Sequence, residues 1–142
     1  MEFLTLEPGI LTGVTGFAAY AGAILFLIIA GFQIALAAGM SWGEFAWGGK
    51  HRILPVSLRI ASALASVFYL LNVLVALEEG AITELGMNPA LTGPYIGVLA
   101  GLFALGIPLN LISRSGKERR VMTPVAFLCC LCCLVLALNT RL

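Results

Sequence analysis

The chain has 142 residues, 61% of them hydrophobic and only 11% charged, with a formal net charge of +1. An average soluble domain carries roughly 25% charged residues, and a fold this small has a large surface to cover with polar groups. Eight Lys and Arg with seven Asp and Glu cannot cover it. That argues against a soluble enzyme, a secreted disulfide scaffold and a nucleic-acid binder, and for an integral membrane protein in contact with the lipid bilayer.

The charges punctuate the chain. Residues 8–43, 60–77, 85–113 and 121–140 contain no Asp, Glu, Lys or Arg. One crossing of the hydrocarbon takes about 20 apolar residues. The four gaps therefore predict an all-α bundle of four transmembrane helices, at about 13–39, 56–77, 90–112 and 124–141, forming one domain over 1–142. The hydrophobic runs are continuous rather than alternating, unlike the strands of a membrane barrel. The segment Met1–Gly9 carries Glu2 and Glu7 and no basic residue. A secretory signal opens on positive charge, so the first run reads as a retained span.

Pro55 opens the second predicted helix, with Arg59 one turn in and able to snorkel to the headgroups. Asn88 is the predicted N-cap of the third helix, Pro108 should bend its far end, and Thr123 is the predicted N-cap of the fourth. The first and third loops, at 40–55 and 113–123, share one side of a four-span protein. With Arg59 they hold seven basic residues, while the opposite side holds only Arg141. The positive-inside rule then makes these two loops cytoplasmic and puts both termini outside.

Helices in lipid associate through small residues and hydrogen bonds. Gly93, Gly97 and Gly101 form overlapping GxxxG patterns, and Gly9, Gly13, Gly16, Ala19 and Ala23 form a similar stripe in the first helix. These stripes serve either packing within the bundle or a homo-oligomer face. Gln33, Asn72 and Asn110, with Tyr20 and Tyr69, are the polar groups inside the spans, and they read as interhelical glue or as the lining of a polar cavity. No ionisable carboxylate, amine or imidazole falls deep in a predicted span, which weighs against proton relays and ion pumps.

All four cysteines lie in the run FLCCLCC, as Cys129, Cys130, Cys132 and Cys133. Two overlapping C-x-x-C pairs permit redox chemistry or a metal, but mid-helix a thiolate is costly to form. One helix also cannot aim four neighbouring side chains at a zinc ion. Small apolar filler is the simpler reading, and no metal or cofactor is expected. A four-helix quinone-linked disulfide enzyme of the vitamin K epoxide reductase type resembles this plan in span count. It usually carries a second Cys pair on a loop, which this chain does not have.

The groups with chemical potential gather in the first and third loops. Trp42, Glu44, Trp47, His51, Arg52 and Arg59 stand at the first, and Asn110, Ser113, Ser115, Glu118 and Arg119 at the third. Interfacial Trp and cytoplasmic basic residues account for much of this composition. The sharper expectation is a shared polar site with a Glu118–Arg52 or Glu44–Arg119 ion pair, suited to anionic lipid headgroups. Phosphate-loop, zincin and nucleophile-elbow signatures do not occur.

The segments WGEFAWGGKHRILPVSLR, Trp42 to Arg59, and NLISRSGKERRVMTP, Asn110 to Pro124, resemble the two signatures of an uncharacterised family of small bacterial four-helix integral membrane proteins. Met122 departs from the Trp frequent there. The resemblance implies a bacterial inner-membrane bundle and supplies no activity. Three functional readings remain open: a non-catalytic accessory or lipid- or protein-interacting module working through its cytoplasmic loops, a small transporter or channel subunit with a polar cavity between helices, and a membrane thiol-redox enzyme.

Overall fold

The computed structural model describes residues 8–139, and these form four helices: α1 (Pro8–Ala37), α2 (Val56–Glu79), α3 (Pro89–Leu111) and α4 (Gly116–Asn139). Each contains a stretch long and apolar enough to cross a membrane. Among the described residues there is no strand. The chain is a multi-pass membrane protein whose outer faces meet lipid. Phe17, Ile28, Leu64, Val98 and Leu105 all point outward from the bundle, as they do when the solvent is hydrocarbon rather than water. The reading of Met1–Gly9 falls mainly on residues outside those described, as do Arg141 and the predicted end of the last helix.

Each helix buries one narrow face. On α1 it is Thr15, Ala18, Ala19, Ala23, Phe26, Ile29 and Ala30, at the three- and four-residue spacing of one helical stripe. Opposite it lie Val73 and Ala76 of α2, Ile96, Leu99 and Ala100 of α3, and Cys129, Cys133, Leu136 and Ala137 of α4. Phe26 is the centre, stacked on Phe103 at 5.7 Å and tilted against Tyr69 at 6.3 Å. The main packing runs α2–α1–α4–α3, while α2 and α3 barely touch. The gap between them becomes a cavity.

Asn72 is fully buried. Its Nδ2 donates to the Phe68 carbonyl at 2.9 Å, and its Oδ1 accepts the Tyr95 hydroxyl at 2.8 Å, joining α2 to α3. Asn110 donates to the Met122 carbonyl at 3.2 Å and joins α3 to α4. These two amides are interhelical glue, as the sequence indicates. Tyr20 is instead 54% exposed on the outer face of α1.

Other expectations are corrected. Gly101 and Gly13 face open space, so the stripes that contain them are not continuous packing seams. The close α1–α4 approach is at Gly22, where a Cβ would lie 3.4 Å from that of Cys132. Asn88 does cap α3, accepting from the Ala90 N–H at 3.0 Å. Thr123 caps nothing. The last helix starts at Gly116, eight residues before Pro124, and Thr123 Oγ1 is a buried oxygen without a partner inside it.

The reason is the sequence Ser115-Gly-Lys-Glu118, a capping box. Ser115 Oγ accepts from the Glu118 N–H at 3.2 Å, satisfying an amide that the first turn leaves unpaired. The return bond is relayed. The Ser115 N–H donates to Ser113 Oγ at 3.2 Å, and the Ser113 hydroxyl donates to the Glu118 carboxylate. The third loop therefore shrinks to a few residues, and Glu118 joins a helix rather than a solvated turn.

Candidate functional site: two loops joined at one end of the bundle

The first and third loops meet at one end of the bundle. The first is built from two 3-10 turns, Gly43–Phe45 and Trp47–Gly49. Gly43 is buried, and its N–H donates to the Arg52 carbonyl at 3.0 Å. A Cβ there would lie 2.2 Å from the His51 carbonyl oxygen, so only glycine lets the loop close on itself. Gly49 has φ +66°, and its Cβ would lie 2.2 Å from that of Ser115. That contact brings the first loop onto the start of α4.

Three polar links hold the loops together across about 70 positions of sequence. The Ser115 hydroxyl donates to the Glu44 carbonyl, Lys117 Nζ pairs with the Glu44 carboxylate, and the Gly48 N–H donates to Glu118 Oε1 at 3.3 Å. Lys117 also lies over the Phe45 ring, 5.7 Å from its centroid. The Lys117 ammonium, with Arg52 adding its charge, holds the Glu44 carboxyl below the usual carboxylate range.

Glu118 is 8% exposed. It pairs with a hydroxyl and an amide, not with Arg52, and Glu44 pairs with Lys117, not with Arg119. Both expected ion pairs are thus replaced, because α4 begins at Gly116 and turns Lys117 toward the first loop while Arg119 stays exposed. Arg59 is tied to the end of α1. Its Nε donates to the Ala37 carbonyl at 2.8 Å, placing a cation at the C-terminus of α1, where the helix dipole favours it.

Three recesses surround this junction. The first, about 340 Å³, lies in the α2–α3 gap and is roofed by Phe45, Ala46, Trp47 and Glu118. Gln33 and Asn110 line it, with Phe68, Tyr69 and Phe103 among its apolar walls. Asn72 does not, since its side chain is engaged with Tyr95. The second, about 480 Å³, lies on the other side of the Gly48–Gly49 backbone and is bordered by Lys50, Arg114, Lys117 and Arg120, with Glu44 as its one carboxylate among the described residues. The third is an apolar groove of about 370 Å³ between α1 and α4, walled by Ile28, Phe32, Trp42, Phe45, Val121 and Val125.

The predicted site residues divide accordingly. Glu44, Trp47, Ser113, Ser115 and Glu118 come together, and Asn110 joins them through the first recess. Trp47 Nε1 donates to Ser62 Oγ at 3.0 Å, fixing the first loop to α2. Trp42 stacks on Phe32 at 6.4 Å in the wall of the apolar groove. Arg52 contributes its carbonyl and its charge, and His51 packs through its carbonyl, so neither side chain is a centre of the site. Missed from the sequence were Glu118 as a border of the cavity that Gln33 lines, and Lys50, Arg114, Lys117 and Arg120 as one set. Their spacing along α4, at 117 and 120, was the available signal.

The cysteines lie apart from this end. Cys129 and Cys133 are in the core and Cys130 and Cys132 are half-buried, all as free thiols. Among the described residues no three His, Cys, Asp or Glu side chains converge as metal ligands. No family model, curated protein or solved structure matches the chain.

Proposed function

We propose that the chain is a non-catalytic accessory protein of a bacterial inner membrane, which recognises anionic lipid headgroups through the joined first and third loops on its cytoplasmic face. The basic recess carries the reading. Lys50 of the first loop, Arg114 of the third, and Lys117 and Arg120 of the first turns of α4 border one opening, against the carboxylate of Glu44 among the described residues. Basic side chains at headgroup depth attract phosphate esters, each by about 1 kcal/mol.

The recess also has a neighbour suited to a chain. Lys117 and Arg120 border it, Val121 and Val125 wall the apolar groove, and Glu44 and Phe45 divide between the two in the same way. Residues 117, 121 and 125 follow the four-residue spacing of one helix face. A headgroup among the cations thus leaves an acyl chain beside Trp42 and Phe32. The orientation rests on seven basic residues at this end against Arg141 at the other.

The test is native mass spectrometry of the chain released from mixed phosphatidylglycerol and phosphatidylcholine nanodiscs. Retention of phosphatidylglycerol, lost when Arg114 and Arg120 are both changed to Gln, is the expected result. Equal retention of the two lipids by the unaltered chain overturns the reading.

A second reading, a small transporter or channel subunit, is favoured by the cavity that Gln33 and Asn110 line. Solute flux into proteoliposomes above the protein-free rate would support it.

A further inference from the structure

The cavity between α2 and α3 lies across the loop junction from the basic recess, and its chemistry is opposite. Among the described residues no Lys, Arg or His borders it. Its charged group is a carboxylate. Glu118 is more than nine-tenths buried, and its two oxygens take one hydrogen bond each, from Gly48 and Ser113, leaving further lone pairs free. Gln33 Oε1 is buried without a partner. Phe45, Trp47, Tyr69 and Phe103 also border it, and an aromatic ring presents a negative face to a cation.

A carboxylate taken out of water calls for a cation. The ion pair seen among the described residues, Lys117 with Glu44, lies outside this cavity. One carboxylate and two amides, one of them already bonded to the Met122 carbonyl, are too few for a metal site, which takes several converging oxygen, nitrogen or sulfur ligands. An anion would meet the Glu118 carboxylate with no cationic side chain among the described residues to offset it. A volume of about 340 Å³ is that of a small organic ligand.

We propose that this cavity binds the protonated amine of an amphiphilic molecule, with Glu118, Gln33 and the aromatic faces around the ammonium and the apolar walls around its carbon chain. The bonds from Gly48 and Ser113 hold the carboxylate in place before the ligand arrives, so little ordering accompanies binding. The site does not depend on the anionic-lipid reading, which rests on different side chains.

The experiment compares three ligands of one size on the purified full chain in detergent: 4-phenylbutylamine, 4-phenylbutanol and 4-phenylbutyrate, each by isothermal titration. The amine should bind at least about tenfold tighter than the other two, the order expected of a close charge pair with aromatic faces around it. Glu118→Gln should reduce the amine to the level of the alcohol. Gln33→Leu leaves every bond between the loops untouched and should weaken the amine severalfold while sparing the alcohol. It decides the matter if Glu118→Gln fails to fold. Equal binding of the three ligands, or an amine preference that survives both substitutions, overturns the proposal. Repeating the titration in phosphatidylethanolamine and in phosphatidylcholine nanodiscs identifies the source of the amine. Competition by phosphatidylethanolamine supports a lipid headgroup in the cavity, and undiminished binding supports a free amine.

Discussion

The two ends of the bundle use the same side-chain chemistry to different effect. At the α2–α3 connection, Glu78 accepts from the Thr83 hydroxyl at 3.3 Å, the Leu85 N–H at 2.7 Å and the Met87 N–H at 3.1 Å, all within nine residues of itself. It organises its own loop. At the other end Glu118 accepts from Gly48, seventy residues away, and from Ser113 beside it. It joins two loops. A carboxylate bonded locally shapes a turn, whereas one bonded across the fold fixes the distance between helices and so creates recesses. Two of the three recesses are bordered by the junction residues Glu118 or Glu44.

Two glycines give the sharpest contrast. Gly49 and Gly86 have similar φ, +66° and +71°, but a Cβ on Gly49 meets Ser115 at 2.2 Å and one on Gly86 meets nothing within 4 Å. Gly49→Ala should therefore cost about 3 kcal/mol or more, from strain and overlap together. Gly86→Ala should cost about 1 kcal/mol, from strain alone. Thermal unfolding in detergent measures both, and equal losses would break the comparison.

Glu118→Ala comes next, at about 2–4 kcal/mol, because it strips two donors of a buried partner. Glu78→Ala should cost clearly less, since water can replace the carboxylate at its more open loop. If Glu78 proved the costlier loss, the junction would not be the tighter of the two ends. Between the ends, Asn72→Ala should cost about 1 kcal/mol, the ordinary scale of an interhelical hydrogen bond in a membrane. Its check is the same unfolding measurement, with Tyr95→Phe expected to remove much the same bond.

The smallest effect is electrostatic. The carboxyl of Glu44 is depressed in the folded chain, so whatever its pairing with Lys117 contributes is fully present above the ordinary carboxylate range. It is lost only as pH falls through the depressed value. Unfolding of Glu44→Gln should match that of the unaltered chain at strongly acidic pH and fall slightly below it near neutrality. A difference between the two that grows on acidification would contradict the pairing.

Much of this was legible in the chain. Four charge-free gaps counted the helices, Asn88 announced its cap, and the alternation of four spans placed the first and third loops at one end. The start of α4 was legible as well, but two signals competed. Pro124 at a first turn and Ser115–Glu118 as a capping box are both sound patterns, and the box prevailed because its amides find real partners. Proline in the ninth position costs that helix only a bond near its beginning. The ion-pair partners were not legible, because the choice of Lys117 over Arg119 depends on where the helix begins. The direction of Gly101 was hidden too. A small-residue pattern says that a face is small, not what it faces.

The claim that the two joined loops make the anionic-lipid site is tested most directly by the glycine pair. Phosphatidylglycerol retained by Gly49→Ala and Gly86→Ala is to be counted by native mass spectrometry, side by side with the unaltered chain. Gly86→Ala should hold its lipid and Gly49→Ala should lose most of it. Full retention by a folded Gly49→Ala protein would contradict the account.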